Sequence, residues 1–277
     1  MPSIRDIYFK SNKDKKDHVS DSDIRDLLIM TNRLKSYTDL SLHFDDEMQN
    51  QEEFDSLFNR LQNGEMIQYL LHEASFLGDK FYVDESVLIP RQETEQLVCL
   101  TTDFIKYNFE EQITIADVCT GSGILGITLS REFKKARVIA TDISEQAIAI
   151  ASKNAAKYNR NIEFLTGNLI NPLLEREIKL DVLICNPPYI ENEDEIDSRT
   201  WKYEPHLALL AKPCTKYYQE IIEAIPNLMN EHFLISFEIG EDMENALTSI
   251  LKDNNLENCY RFESDIYGKT RFLFIMK

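Results

Sequence analysis

No stretch of this 277-residue chain approaches the ~18 consecutive apolar residues of a membrane-crossing helix, and its first residues lack the apolar core of a secretory leader. Both absences lead to the expectation of a cytoplasmic protein that touches no membrane. The five cysteines, Cys99, Cys119, Cys185, Cys214 and Cys259, show no C-x-x-C spacing. That argues against a zinc site or a disulfide framework, and leaves buried thiols in a reducing compartment. Basic charge is also scarce: 30 Lys and Arg face 48 Asp and Glu, for a formal net charge of −18. An enzyme acting on duplex DNA needs a basic footprint to displace counterions, so free DNA is a poor partner for this chain. The same field would draw in a basic protein. An acidic run from Glu191 to Asp197 adds to it, although such runs are ordinarily solvated loops. No internal repeat or low-complexity segment is evident.

What is present divides in two. The 43% apolar content is enough for a sizeable core in a chain longer than the usual single domain. Residues 1–74 are polar, with Ile24, Leu27, Leu28 and Leu34, and later Phe54, Leu57, Phe58 and Leu61, spaced for buried helical faces. Ser20 and Ser22 are candidate caps, and strand alternation is missing, so a small helical bundle is expected. Residues 75–92 change character. The short runs Lys80–Val83 and Ser86–Ile89, parted by Asp84-Glu85 and closed by Pro90, predict a β-hairpin linker. From 93 to 277 helices alternate with apolar strands near 113–118, 136–141, 161–166, 180–185 and 232–238, followed by two last strands near 258–264 and 270–276. This order predicts an α/β fold, a doubly wound sheet closed by a hairpin. Ligands bind such sheets at the carboxyl ends of the strands, where the strand order reverses.

Two motifs fall at such ends. Leu180–Cys185 reads as a buried strand that runs directly into Asn186-Pro187-Pro188-Tyr189. Pro187 has no N–H for a sheet, and Pro188 keeps the residue before it out of helical geometry, so the strand stops with its carbonyls free. Those carbonyls and the Asn186 side-chain oxygen can accept both hydrogens of a planar –NH2 group, while Tyr189 offers a ring for stacking. An ordinary turn uses the same residue types.

The second motif follows the strand Ile113–Val118: Cys119-Thr120-Gly121-Ser122-Gly123-Ile124-Leu125-Gly126. Its glycines let the backbone approach a ligand and start a helix. Asp142 ends the next strand, roughly 20 residues on, where a carboxylate binds ribose hydroxyls. That geometry serves NAD and S-adenosylmethionine equally. Asp117, just before the loop, suits a cationic amino-acid group better than a pyrophosphate, which it would repel, so S-adenosylmethionine is favoured.

From about Arg60 to its C-terminus the sequence resembles the HemK/PrmC family of peptide chain release factor N5-glutamine methyltransferases. The resemblance rests on Val87-Leu88-Ile89-Pro90-Arg91-Gln92-Glu93-Thr94-Glu95, on Thr120–Gly123 and on Asn186–Ile190. Tyr203-Glu204-Pro205, Glu238-Ile239-Gly240, Asp265, Gly268 and Arg271 extend it. It implies a helical N-terminal domain that binds the substrate protein, joined to a Rossmann-like seven-stranded methyltransferase domain. It also implies transfer from S-adenosylmethionine to the glutamine of a Gly-Gly-Gln motif, leaving S-adenosylhomocysteine. The cofactor would lie against Cys119, Thr120, Gly121, Ser122 and Gly123, with Asp117 toward its ammonium, Asp142 on its ribose and Asn186 beside it. The chain departs from the family pattern in three places. Gln92 replaces a usual proline, Asn168 and Leu169 stand where an acid and an aromatic commonly meet adenine, and Ala211–Thr215 lacks the usual glycine-rich stretch.

The expected chemistry is direct in-line methyl transfer to an amide nitrogen, oriented by Asn186 and the Pro187 carbonyl, with Tyr189 packed on the amide and Pro188 stiffening the turn. No histidine or lysine base is required. Arg91 and Glu93 are candidates for contacting the protein substrate, or for a structural ion pair. Three other functions share parts of these motifs: an adenine-N6 nucleic-acid methyltransferase, a non-catalytic module that docks a translation factor, and an NAD oxidoreductase.

Overall fold

The computed structural model describes residues 2–110 and 112–277. The chain separates into two compact units, Met1–Glu73 and Ala74–Lys277. The first is all helical, with α1 (Ile4–Asp14), α2 (Asp21–Thr31), α3 (Tyr37–Leu42), α4 (Gln51–Gln62) and α5 (Ile67–Leu71). Two starts are set by reciprocal caps. Ser3 and Asp6 cap α1, and Ser20 and Asp23 cap α2, each serine accepting a backbone N–H while the acid returns to the serine's own N–H. Ser22 lies inside the first turn of α2, its hydroxyl 2.8 Å from that of Ser20. Ile4, Ile7, Ile24, Leu27, Leu28, Met48, Phe54 and Leu61 form this unit's core. Leu34, Leu57 and Phe58 are partly buried against it.

The second unit opens with a hairpin, β1 (Ala74–Phe76) and β2 (Asp79–Phe81), which turns through Leu77 and Gly78 at φ +48° and +80°. The strands thus pair earlier than the runs expected from sequence. Lys80 and Phe81 belong to β2, whereas 86–89 is a loop outside any strand, and Phe76 and Phe81 are buried with Leu97 and Val98. Then follow α6 (Gln92–Asn108), β3 (Thr114–Val118), α7 (Ile124–Glu132), β4 (Arg137–Asp142), α8 (Glu145–Lys157) and β5 (Glu163–Thr166). The chain returns through α9 (Asn171–Leu174), β6 (Leu180–Cys185), α10 (Ser198–Tyr203), α11 (Lys216–Leu228) and β7 (Met229–Glu238), and ends with α12 (Glu244–Asp253), β8 (Tyr260–Ser264) and β9 (Thr270–Met276).

The seven-stranded sheet has the order β5-β4-β3-β6-β7-β9-β8. Strands β5 to β7 are parallel in that order, and β9 is antiparallel to both of its neighbours. The central strands are buried on both faces, which explains their continuous apolar runs. The order reverses between β3 and β6, where Val118 pairs with Cys185. Both sequence motifs leave the sheet at that point. Among the described residues no helix is long and apolar enough to cross a membrane.

Candidate active site

The turn after β3 needs an unusual backbone. Gly121 and Gly123 sit at φ +53° and +83°, and Cys119 shares the left-handed region at +59°. A β-carbon on Gly123 would stand 2.9 Å from that of Ala151, so α8 packs directly on the loop. Thr120 N–H donates to the Thr141 carbonyl (3.0 Å), which ties the loop to the end of β4.

Beneath it lies Asp117, fully buried. Its Oδ2 accepts from the Thr120 hydroxyl (2.5 Å) and from Gly126 N–H (2.8 Å), whereas its Oδ1 has no hydrogen-bond partner. Burial, with nearby Asp142 adding to it, pushes the carboxyl up to about 7 against these donors. Asp117 therefore holds the loop from below and is absent from the cavity wall. Asp142 does reach that wall. Its Oδ2 accepts from Gly121 N–H and its Oδ1 from Ser144 N–H, both at 2.9 Å, and burial raises its carboxyl despite these bonds.

These groups border a cavity of 370 Å³. Cys119, Thr120, Gly121 and Ser122 line it, as do Asp142, Asn168, Leu169, Asn186 and Pro188. Gly123 lies behind the wall, setting the turn. Sequence reasoning missed Ile143, Ser144, Gln146 and Tyr217, which also face the space. Ile143 had a visible signal, an apolar residue directly after a strand-tip acid, and it is half exposed.

A second cavity, of 200 Å³, opens on the other side of Asn186. Its walls include Arg91, Pro187, Tyr189, Glu195, Ile196, Asp197 and Glu238. Leu88, Asn186 and Ala208 line both spaces. The wall is fixed by two backbone bonds, from Ile190 N–H to the Leu209 carbonyl (3.0 Å) and from Ala211 N–H back to the Ile190 carbonyl (2.9 Å). Arg91 faces this cavity with its charge already matched. It donates to Glu204 Oε1 at 2.5 Å, while Glu204 Oε2 accepts from Ile89 N–H at 3.2 Å. The Glu204 side chain is fully buried, so the pair locks the 86–91 loop to the end of α10. Glu93 is absent from both cavity walls.

Asn186 is held by side chains far away in sequence. Its Nδ2 donates to Thr94 Oγ1 (3.2 Å), and Thr94 donates to Glu238 Oε2 (2.7 Å). Tyr189 donates to Glu238 Oε1 (3.4 Å), and Tyr218 to the Glu238 backbone carbonyl (2.8 Å). Glu238 is buried, which pushes its carboxyl up to about 7. Burial likewise raises the Tyr189 phenol, which stays neutral. Gly240 leaves room for that ring: a β-carbon there would stand 3.1 Å from Tyr189 Cδ2.

A glycine loop, a strand-tip carboxylate and an amide on the wall of both cavities thus come together at the carboxyl ends of β3, β4 and β6. Residues 98–203 match the family described as the methyltransferase small domain. The release factor glutamine methyltransferase of Staphylococcus aureus is 39% identical over 85% of this chain and 85% of its own. That of Bacillus anthracis is 33% identical over 89% and 88%. Among solved structures, the N-terminal domain of human METTL16 aligns over 94% of each chain with a TM-score of 0.55 at 15% identity, a likeness of fold.

Proposed function

Since the chain belongs to the release factor glutamine methyltransferase family, we propose that it methylates the side-chain nitrogen of the Gly-Gly-Gln glutamine in class I bacterial release factors, with S-adenosylmethionine as donor. One observation carries this reading: Asn186 stands on the wall common to a nucleoside-sized cavity and a smaller one. A methyl donor and a planar amide placed in the two spaces would meet there.

The first cavity fits the donor. Asp142 keeps lone pairs for ribose hydroxyls, and Gly121 presents open space rather than a side chain. Asp117, expected from the sequence to meet the donor's ammonium, supports instead the glycine loop on which the amino-acid end of the donor would lie. Asn168, Leu169 and Ile143 make the polar and apolar surface for adenine. When bound, the donor supplies a sulfonium methyl that passes in line to nitrogen, its sulfur keeping the C–S electron pair as a thioether.

The second cavity takes the glutamine side chain. Asn186 Oδ1 and the Pro187 carbonyl accept the two amide hydrogens, which fixes the nitrogen and raises its electron density. Tyr189 packs on the amide plane and Pro188 keeps the turn rigid. Once nitrogen has four bonds its proton is strongly acidic and leaves to water, so no protein base is needed. Arg91 shapes the entrance through its pair with Glu204, and the helical unit of residues 1–73 contributes to holding the partner protein.

The test is to incubate the protein with methyl-labelled S-adenosylmethionine and an unmodified release factor, or a copy with the Gly-Gly-Gln glutamine changed to alanine. Label on the first alone is expected. Label on neither, with donor binding intact, would overturn the assignment.

A further inference from the structure

Thr94 and Glu238 lie outside the Asn186–Tyr189 motif, on α6 and at the end of β7. Both are buried, at 4% and 2% exposure. While Glu238 is ionised, their hydrogen bonds have a direction that chemistry fixes. A carboxylate only accepts, so Thr94 must give Glu238 its single hydroxyl hydrogen. The threonine oxygen is then left only as an acceptor, and the group it meets at 3.2 Å has to be the NH2 end of Asn186. The amide is planar, so its carbonyl end is turned the other way. Tyr189 donates to the second oxygen of the same carboxylate.

We propose that Glu238 and Thr94 are positioning residues that dictate which end of the Asn186 amide meets the substrate, with the ionised carboxylate as the source of that polarity. The inference rests on the reading of Asn186 Oδ1 as the acceptor for the substrate –NH2. It makes the site sensitive to one proton. A neutral Glu238 can donate to Thr94, Thr94 then donates to the amide oxygen, and the rotated amide presents NH2 to a substrate NH2, two donors facing each other.

The surroundings of Glu238 place that event close to neutrality. Burial raises its carboxyl to about 7, and Glu93 on α6 pushes the same way. Thr94 on the same helix, Tyr189 after β6 and Arg271 on β9 favour the ionised form, while Tyr218 on α11 reaches only the backbone carbonyl. The polarity required for transfer is therefore the stable one above about pH 7 and is lost below it.

The decisive comparison is kcat against pH for the whole protein and three variants, with donor affinity and thermal unfolding measured alongside. Wild-type kcat should fall roughly tenfold per unit below the carboxyl's midpoint, as one required ionisation demands. Glu238→Gln should lose that acid limb. A glutamine oxygen still accepts from Thr94 while its NH2 turns to the Tyr189 oxygen, and no proton can reverse the chain. Thr94→Val removes the hydroxyl at nearly constant shape and should lower kcat about 10- to 100-fold, the loss of one or two aligned hydrogen bonds, and change donor affinity far less even though Thr94 borders the first cavity. Thr94→Ser should restore most of the rate. Wild-type kcat in Thr94→Val, or an unchanged acid limb in Glu238→Gln, would overturn the proposal.

A second readout needs no substrate protein. The side-chain 15N–1H signals of Asn186, identified by their loss in Asn186→Ala, should shift with pH in the wild type and stay fixed in Glu238→Gln. If they do so while no release factor is methylated, the relay stands and the functional reading fails. Methylation without such a shift sinks the relay alone.

Discussion

At Asp117 a carboxylate is buried with one oxygen satisfied twice and the other not at all. Its folded-state pKa of about 7 lies above the ordinary value of 3.8. A raised carboxyl stabilises the fold fully below the unfolded value and loses that contribution as pH rises through the folded one. Relative to Asp117→Asn, the wild type should thus lose stability between about pH 4 and 7, by on the order of 2–4 kcal/mol. Denaturant unfolding of both proteins across that range measures the difference, and parallel curves would sink the account. The identity of this aspartate was legible in the sequence. Its role beneath the loop was not, because contact with a ligand and support of the residues that touch it look alike in one dimension. Thr94 and Glu238 show the same limit. Both stood in recognisable motifs, yet the contacts Asn186–Thr94 and Thr94–Glu238 span 92 and 144 residues, separations that only the fold closes.

Among the elements, the strands of the sheet were plain in the sequence because burial on both faces of a parallel sheet writes itself as unbroken apolar runs. The hairpin before α6 was displaced for an equally physical reason. Its two-residue turn places Leu77 at positive φ, a conformation that leucine does not advertise, while Val87 and Ile89 look like strand residues but face inward from a loop. What holds that loop is Glu204, which closes the ion pair with Arg91 and caps Ile89 N–H. Glu204→Gln keeps an acceptor for the backbone but removes the charge beneath Arg91. The guanidinium side chain is 38% exposed, so water recovers part of the loss, and a destabilisation of about 1–2 kcal/mol is expected. The same change should raise KM for the release factor more than for the methyl donor, since Arg91 lines only the smaller cavity. Steady-state kinetics with each substrate varied in turn separates the two. Equal effects on both would mean that the loop serves the whole site alike.

For the molecule as a whole, the charge of −18 sets how a partner arrives. Glu193, Asp194, Glu195 and Asp197 crowd the segment that walls the smaller cavity, and most of that segment is exposed. Their field adds to that of the rest of the chain at the mouth of that cavity, the entry proposed for the glutamine. A macromolecule with basic groups around its glutamine would be steered there, whereas charges more than a Debye length apart are screened at moderate salt. The turnover step itself takes place between groups already in contact and has little net charge to lose. Raising ionic strength from about 0.05 to 0.3 M should therefore lower kcat/KM for the release factor by roughly three- to tenfold while leaving kcat nearly constant. A Glu193→Lys, Asp194→Lys double variant should weaken that dependence without touching either cavity, since neither residue lines one. A short peptide carrying the Gly-Gly-Gln sequence without basic neighbours should show almost no salt response in either protein. Stopped-time methylation assays over the salt series measure all three, and a fall in kcat as steep as that in kcat/KM would move the charge effect from the approach of the partner to the site itself.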